Sequence, residues 1–158
     1  MHTWSENARV DVHARRLVPG ERALARDLFT VMAGVFGEPS ADLSDAYLDH
    51  LLQRPDFWAV AAMVGDEVAG GITAHALPMT RTESSELFIY DVAVREEYQR
   101  RGVGRLMMTA LRTAAAVAGI AVAFVPADDD DAHAQEFYRA LGGAPAPVTF
   151  FTFSDAVE

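Results

Sequence analysis

Residues 87–112, LFIYDVAVREEYQRRGVGRLMMTALR, leave this chain few ways to fold. Leu87 to Val94 is apolar on both faces, the pattern of a strand covered on two sides. Behind it, Val103, Leu106, Met107, Ala110, Leu111 and Ala114 recur at helical spacing. Between strand and helix lies Gln99-Arg100-Arg101-Gly102-Val103-Gly104. Gly102 and Gly104 let a backbone approach a ligand without a Cβ in the way. The unpaired amides of the first helical turn and the positive end of the helix dipole favour an anion such as a pyrophosphate there. Arg100 and Arg101 add charge. The loop is neither G-x-G-x-x-G nor a Walker A sequence, so by itself it reads equally well as a tight strand–helix turn with two arginines in water.

A chain of 158 residues suits one domain, 1–158, with 1–8 as a loose leader. Hydrophobic residues at 51% and charged residues at 23% exclude a disordered composition. No apolar run reaches the roughly 20 residues of a membrane span, and MHTWSENARV lacks the regions of a signal peptide. Cysteine is absent, which excludes disulfides, thiolate metal sites and a covalent cysteine mechanism and is compatible with a cytoplasmic location. The net charge of −10 argues against nucleic acid as the main partner. It favours a cationic small molecule, or simply keeps the protein in solution.

Taken in order, Arg9 to Leu17 alternates as a first strand, with Val10, Val12 and Ala14 on one face. Pro19 suits a helix start, followed by a stripe of Leu24, Leu28, Val31, Met32, Val35 and Phe36 that breaks at Gly37-Glu38-Pro39-Ser40. Ser44 is placed to cap a short helix to about Gln53, with Tyr47, Leu48, Leu51 and Leu52 inward. Phe57–Val64 and Glu67–Leu77 form a hairpin around Gly65-Asp66. Gly70-Gly71 marks a bulge or a close backbone approach. The helix from Gly102 ends near Ala118, with Gly119 beyond it. A strand over Ile120–Ala127 returns parallel to Leu87–Val94 through a right-handed crossover. A last helix carries Ala134, Phe137, Tyr138 and Leu141 and stops at Gly142-Gly143. Pro145 and Pro147 then turn the chain into a final antiparallel strand, Val148 to Phe153.

Three features carry possible chemistry. On an unbroken strand Asp91 shares a face with Leu87, Ile89 and Ala93, opposite Phe88, Tyr90, Val92 and Val94. A carboxylate among such neighbours costs several kcal/mol unless it is paired or reaches water. Asp91 therefore pairs with a buried arginine or caps a bulge, or it lines a cleft. Asp128-Asp129-Asp130-Asp131 lacks the alternate spacing of a calcium loop; Asp131 can cap the next helix, and the others can favour its positive end or bind a cation. Asp42, Asp45 and Asp49 read as the solvated faces and caps of short helices. His133 reads as a helix-surface residue. Tyr138 is a catalyst or a core tyrosine with a hydrogen-bonded tip.

The pattern Q/R-x-x-G-x-G/A after an apolar strand, filled by Gln99, Gly102 and Gly104, resembles the acetyl-CoA loop of the GNAT superfamily of N-acetyltransferases. The segments IYDVAV, VPADDDDAHAQEFYRALG and VTFFTF are similar to those of aminoglycoside 3-N-acetyltransferases of the gentamicin type, from about Phe57 onward. The resemblance implies an α/β (α+β) GNAT fold: a mostly antiparallel mixed sheet with one splayed parallel pair and helices on both faces. It implies acetyl-CoA as co-substrate, no metal, and acetylation of an aminoglycoside at its 3-amino group, an antibiotic-resistance activity.

Carried over by position, the resemblance assigns the pyrophosphate to Gln99, Arg100, Arg101, Gly102, Val103, Gly104 and Arg105. It assigns the pantetheine arm to backbone groups of Val92, Ala93 and Val94, with an amide near Ala93 at the thioester oxygen. The acceptor meets Tyr90, Asp91, Asp128 and Asp129. In the family the region of Asp42, Asp45 and Asp49 covers the acceptor site, and only this resemblance implies that they face a cation. Asp91 takes the amine's proton or positions the amine, and Tyr138 protonates the thiolate. In D-x-x-A-x-x-F-Y-x-x-x-G, Asp131 stands where the family has Asn, and both are good caps. Homodimers are common in the family. Another polyamine, a small amine or a peptide N-terminus as acceptor, and a non-catalytic acyl-CoA-binding module, are the competing expectations.

Overall fold

The computed structural model describes residues 11–155. The predicted leader, and Arg9 and Val10 of the first strand, lie outside them. The described part falls into two compact units that divide after Pro126.

The first unit is a five-stranded sheet in sequence order, β1 (Val12–Arg16), β2 (Phe57–Val64), β3 (Glu67–Pro78), β4 (Ser85–Val94) and β5 (Ala123–Phe124). All neighbours are antiparallel except β4 and β5, which are parallel. Helices α1 (Arg22–Val35) and α2 (Asp45–Gln53) precede β2, and α3 (Val103–Val117) joins β4 to β5. The 3-10 turn Glu96–Tyr98 fills the gap between β4 and the glycine loop. Among the described residues no helix is long and apolar enough to cross a membrane.

The sheet is covered on both faces, and Gly70 and Gly71 show why. Successive strand residues point to opposite faces. A Cβ on Gly70 would lie 3.2 Å from Met107 of α3 and 2.6 Å from the Ala93 carbonyl. A Cβ on Gly71 would lie 2.3 Å from Leu28 and 2.7 Å from Met32, both on α1. The expected close approach is therefore present on both sides at once. On the α1 face, Leu28, Met32, Leu48, Leu52, Phe57, Ala59, Ala61 and Ala93 form one buried cluster. On the α3 face, Val103, Met107 and Leu111 are buried, as are Val60, Ile72, Leu87 and Ile89 of the strands.

Local signals place the helices. Ser44 caps α2, its Oγ accepting from the Tyr47 amide at 3.1 Å. Gly119, with φ 76°, ends α3. Helix α1 starts later than Pro19 suggests, because Gly20 turns the chain and the Glu21 carboxylate is held by Arg15 and the Val18 amide. Val35, Phe36 and Tyr47, expected inward, are exposed. The apolar stripe of α1 outruns the sheet it covers.

A bulge changes the reading of β4. Thr73 pairs with Asp91 and Ala74 with Ile89, so Tyr90 has no partner on β3. The extra residue reverses the alternation. Leu87 and Ile89 point to the α3 face, whereas Asp91 and Ala93, opposite Thr73 and Gly71, point to the α1 face. The expectation that these four share a face is thereby corrected. Pairing with β5 ends two residues before the bulge, at Phe88 and Phe124. The strand predicted over Ile120–Ala127 shrinks to two residues because a bulged strand bends away from a straight neighbour.

The second unit contains α4 (Ala132–Ala140). Asp131 caps it, accepting from the Ala134 amide at 3.0 Å, and Gly142, with φ 92°, follows its end. Val148 to Phe153 forms no strand, against expectation, and Phe150, Phe151 and Phe153 are exposed. Alternating β-formers make a strand only against a ladder partner. Among the described residues none is supplied.

Gly71→Ala is expected to destabilise the protein by about 1–3 kcal/mol, because its methyl group meets a fully buried Leu28 in a closed core. Urea unfolding of the two proteins checks this; equal midpoints would mean that α1 does not press on β3.

Candidate active site

The end of β4, the loop behind it and the first turn of α3 form one continuous piece. Gly102 adopts φ 79° and has no heavy atom within 4 Å of its absent Cβ, so the loop surface is open there. Val103 is buried and anchors the helix start, leaving the first-turn amides around Gly104 directed along the helix axis into the loop. Arg100 also takes a positive φ, 62°, a conformation L-residues avoid. Left-handed residues next to right-handed ones are the backbone pattern from which anion-binding nests are built.

The Gln99 side chain donates to the Val94 carbonyl at 3.1 Å, tying the loop to the end of the strand. Its sequence signal marked a ligand contact; the contact present is internal. Arg95 and the Tyr98 hydroxyl both bond Glu67, fixing the end of β4 to the start of β3. Arg100, Arg101 and Arg105 are exposed and have no acidic partner among the described residues. In a chain of net charge −10, these arginines and the helix end make a local positive surface suited to phosphate.

Beyond Phe88, β4 has no strand on its β5 side among the described residues. Val92, Ala93 and Val94 thus present backbone groups along an edge that leads to the loop. An extended amide-bearing chain could pair there. This edge and the open glycine turn fit a nucleotide with a long polar arm.

Asp91 sits at the head of the edge, half-buried, with no hydrogen bond or ion pair among the described residues. The arginine partner weighed for it is absent among the described residues. Burial, and then the charge of Glu38, hold its carboxyl above the usual carboxylate range. Glu38 was read only as part of a helix-breaking segment; nothing in its local pattern points to Asp91. Tyr90, in the bulge, is 60% exposed and stands edge-on to His75 and Phe88. These rings continue a strip through Phe57 to Phe29 of α1.

Asp42, Asp45 and Asp49 are not free for a cation. Arg22 bonds Asp49 at 2.9 and 2.5 Å and Asp45 at 3.2 Å; Arg26 bonds Asp45 at 2.6 Å and Asp42 at 3.2 Å. These pairs staple α1 to α2. An open cavity of about 410 Å³ lies beside them, lined by Phe29, Thr30, Ala33 and residues Pro39 to Leu43.

The remaining predicted residues belong to the second unit. Asp128 and Asp129 are exposed, and their backbone carbonyls each accept from the Gln135 side chain at 3.1 Å. Tyr138 is half-buried on α4, its ring edge-on to Phe137. His133 is exposed, as expected of a helix-surface residue. Among the described residues no set of His, Asp and Glu side chains would hold a metal ion.

An open-edged strand feeding a glycine turn and a helix N-terminus defines a class of proteins that bind phosphate-bearing nucleotides with extended arms. Residues 23–142 match the acetyltransferase (GNAT) family, and the chain belongs to it. No curated protein matches the sequence. Among solved structures, the fold is similar to the aminoglycoside acetyltransferase HMB0005 from an uncultured soil metagenomic sample, with 30% identity, TM-score 0.88, and 92% of this chain and 99% of that one covered. It is also similar to the aminoglycoside acetyltransferase meta-AAC0020, likewise from an uncultured soil metagenomic sample and solved with sisomicin. There the identity is 26%, the TM-score 0.88, and the coverage 92% and 97%. The aminoglycoside N-acetyltransferase AAC(6')-Iy, solved with CoA, shares the fold at TM-score 0.74 and 14% identity, with 92% and 96% covered.

The raised proton affinity of Asp91 has a consequence for stability. Between the ordinary and the raised value, the folded state holds a proton that the unfolded state has lost. Stability therefore falls as pH rises through that window, and above it the ionised Asp91 disfavours the fold. Asp91→Asn should melt at a higher temperature than the parent near pH 8, with the gap closing as the pH is lowered toward about 4. Thermal unfolding across pH measures it; a variant less stable at every pH would mean that the carboxylate makes a structural bond.

Proposed function

We propose that this acetyltransferase transfers the acetyl group of acetyl-CoA to an aminoglycoside, at its 3-amino group. The observation that carries the reading is Asp91: a half-buried carboxylate without a cationic partner among the described residues, at the head of an open strand edge that leads to a glycine turn at a helix N-terminus. Similarity to aminoglycoside acetyltransferases at 26–30% identity supports the acceptor class, and so does the net charge of −10, which draws polycations.

Acetyl-CoA supplies an activated acetyl thioester. The amides around Gly102 and Gly104, with Arg100, Arg101 and Arg105, hold its pyrophosphate; the edge of Val92 to Val94 holds its arm. An ammonium has no lone pair with which to attack, so the acceptor must lose a proton. Asp91 takes it, and its raised proton affinity brings it closer to the working pH that favours a general base. An amide near Ala93 donates to the developing oxyanion, and Tyr138 donates a proton to the departing thiolate. Attack within a ternary complex needs no enzyme nucleophile, consistent with a chain lacking cysteine. Tyr90, Asp128 and Asp129 contact the acceptor.

Coenzyme A thiol release with gentamicin, kanamycin, spermidine and a peptide tests this. Fast turnover on gentamicin, with the product mapped by NMR to the 3-amino nitrogen, is expected. Turnover confined to spermidine or peptide would refute the aminoglycoside reading and leave the family assignment intact. Asp91→Asn should lower turnover by roughly 10²–10⁴-fold with acetyl-CoA affinity retained; parental turnover would remove Asp91 from the base role. Tyr138→Phe should lower turnover by about tenfold or more; parental rates would leave it a packing residue.

A further inference from the structure

Past Val94 the ladder with β3 ends, and residues 95–102 must carry the chain into α3. Two of them are left-handed, Arg100 with φ 62° and Gly102 with φ 79°. Glycine takes that conformation freely. An arginine does not, and a residue held there persists only where the structure around it over-determines the chain.

The start of β3 supplies that hold. The Arg95 amide donates to the Ala69 carbonyl at 2.9 Å. The Glu67 carboxylate accepts from the Arg95 guanidinium through one oxygen and from the Tyr98 hydroxyl, at 3.1 Å, through the other. Arg95 and Tyr98 bracket the 3-10 turn, whose own bond runs from the Tyr98 amide to the Arg95 carbonyl at 2.9 Å. One carboxylate thus grips both ends of the turn, and the second grip is two residues before Arg100. Glu97 also stands 3.6 Å from Arg95, but it lies within the turn and cannot fasten it to the sheet. Glu67 can, because it is paired with Val64 in the β2–β3 hairpin.

We propose that Glu67 is a positioning residue for the donor nucleotide: bridging Arg95 and Tyr98, its carboxylate holds the turn that sets Arg100 and the loop amides in place for the pyrophosphate. This rests on the assignment of the pyrophosphate to the loop made above. The sign of the effect separates positioning from charge. A carboxylate beside an anion site repels the ligand, so removing it tightens binding if only its field matters. If it holds the loop, removing it weakens binding.

Calorimetry with coenzyme A tests this without an acceptor or turnover. The variants are Glu67→Ala, Glu67→Gln and Tyr98→Phe, with Asp56→Asn as a control that breaks an exposed pair with Arg54 elsewhere. Melting curves identify those that fold. Glu67→Ala should weaken coenzyme A binding roughly threefold to tenfold, the range of a lost half-exposed ion pair with its hydrogen bonds. Glu67→Gln should lose less, because its amide oxygen still accepts from Tyr98, and Tyr98→Phe should fall between the parent and Glu67→Ala. Asp56→Asn should bind as the parent does. Parental or tighter binding in the Glu67 variants would overturn the proposal, and a lowered melting temperature with parental affinity would reduce Glu67 to a stability contact. Arg101→Ala reports on the loop assignment itself. If it weakens binding and the Glu67 variants do not, only the role of Glu67 is refuted. If neither changes binding, the pyrophosphate lies elsewhere and both readings fall.

Discussion

One extra residue in β4 sets the geometry on which the candidate site depends. Were β4 regular, Asp91 would follow Leu87 and Ile89 onto the α3 face and lie among Met107 and Ile72, where an unpaired carboxylate costs several kcal/mol. The bulge at Tyr90 sends it to the other face, half-open to solvent. Bulges also bend and twist a strand, and β5 stops pairing just before this one. The same insertion thus moves the acid out of the core and opens the edge that leads to the glycine turn.

That opening has to be supported from behind. Strand β4 stays paired with β3 on both sides of the bulge, and Gly70 and Gly71 let α3 and α1 press on β3 from opposite sides. The tie between Arg95, Tyr98 and Glu67 then closes the end of the pair next to the loop. The bulged strand is free on one side because it is held on the other. A reacting group positioned within about half an ångström needs such a backing.

This division explains what could be read from the sequence. Periodicity exposed the hairpin, the buried stripes of the two long helices α1 and α3 and the parallel return, because burial on a face repeats at 2.0 or 3.6 residues. Caps at Ser44 and Asp131 were legible because one side-chain oxygen meets one amide three residues on. The turn before α3 was legible because its chain takes a left-handed conformation at Gly102, which glycine adopts without strain. The bulge was not. It depends on how β3 and β4 register with each other, and IYDVAV has no glycine or proline to announce it. The length of β5 and the missing pairing of Val148–Phe153 were hidden for the same reason: both are decided by a partner's edge rather than by the segment's own residues. The pairing of Asp42, Asp45 and Asp49 with Arg22 and Arg26 joins residues 16 or more apart in sequence. No local pattern carries them.

The charge distribution follows the same division of labour. Acids near α1 and α2 serve structure where an arginine fork reaches them, and beside Arg22 the proton affinity of Asp49 falls. Asp91 moves the opposite way, because burial penalises its charged form and Glu38 repels it. A fold selected for stability alone would place an amide or an arginine partner at that position. Keeping a carboxylate there sacrifices some stability at neutral pH for a group that holds its proton more tightly than an ordinary aspartate. Past the end of β4, beyond Asp91 and the open edge, Arg100, Arg101 and Arg105 are left without acids beside a helix N-terminus among the described residues. The end of the strand and the loop after it therefore join a negative head to a positive tail. A ligand pair with an ammonium at one end and a phosphate at the other is oriented by that gradient before any specific contact forms.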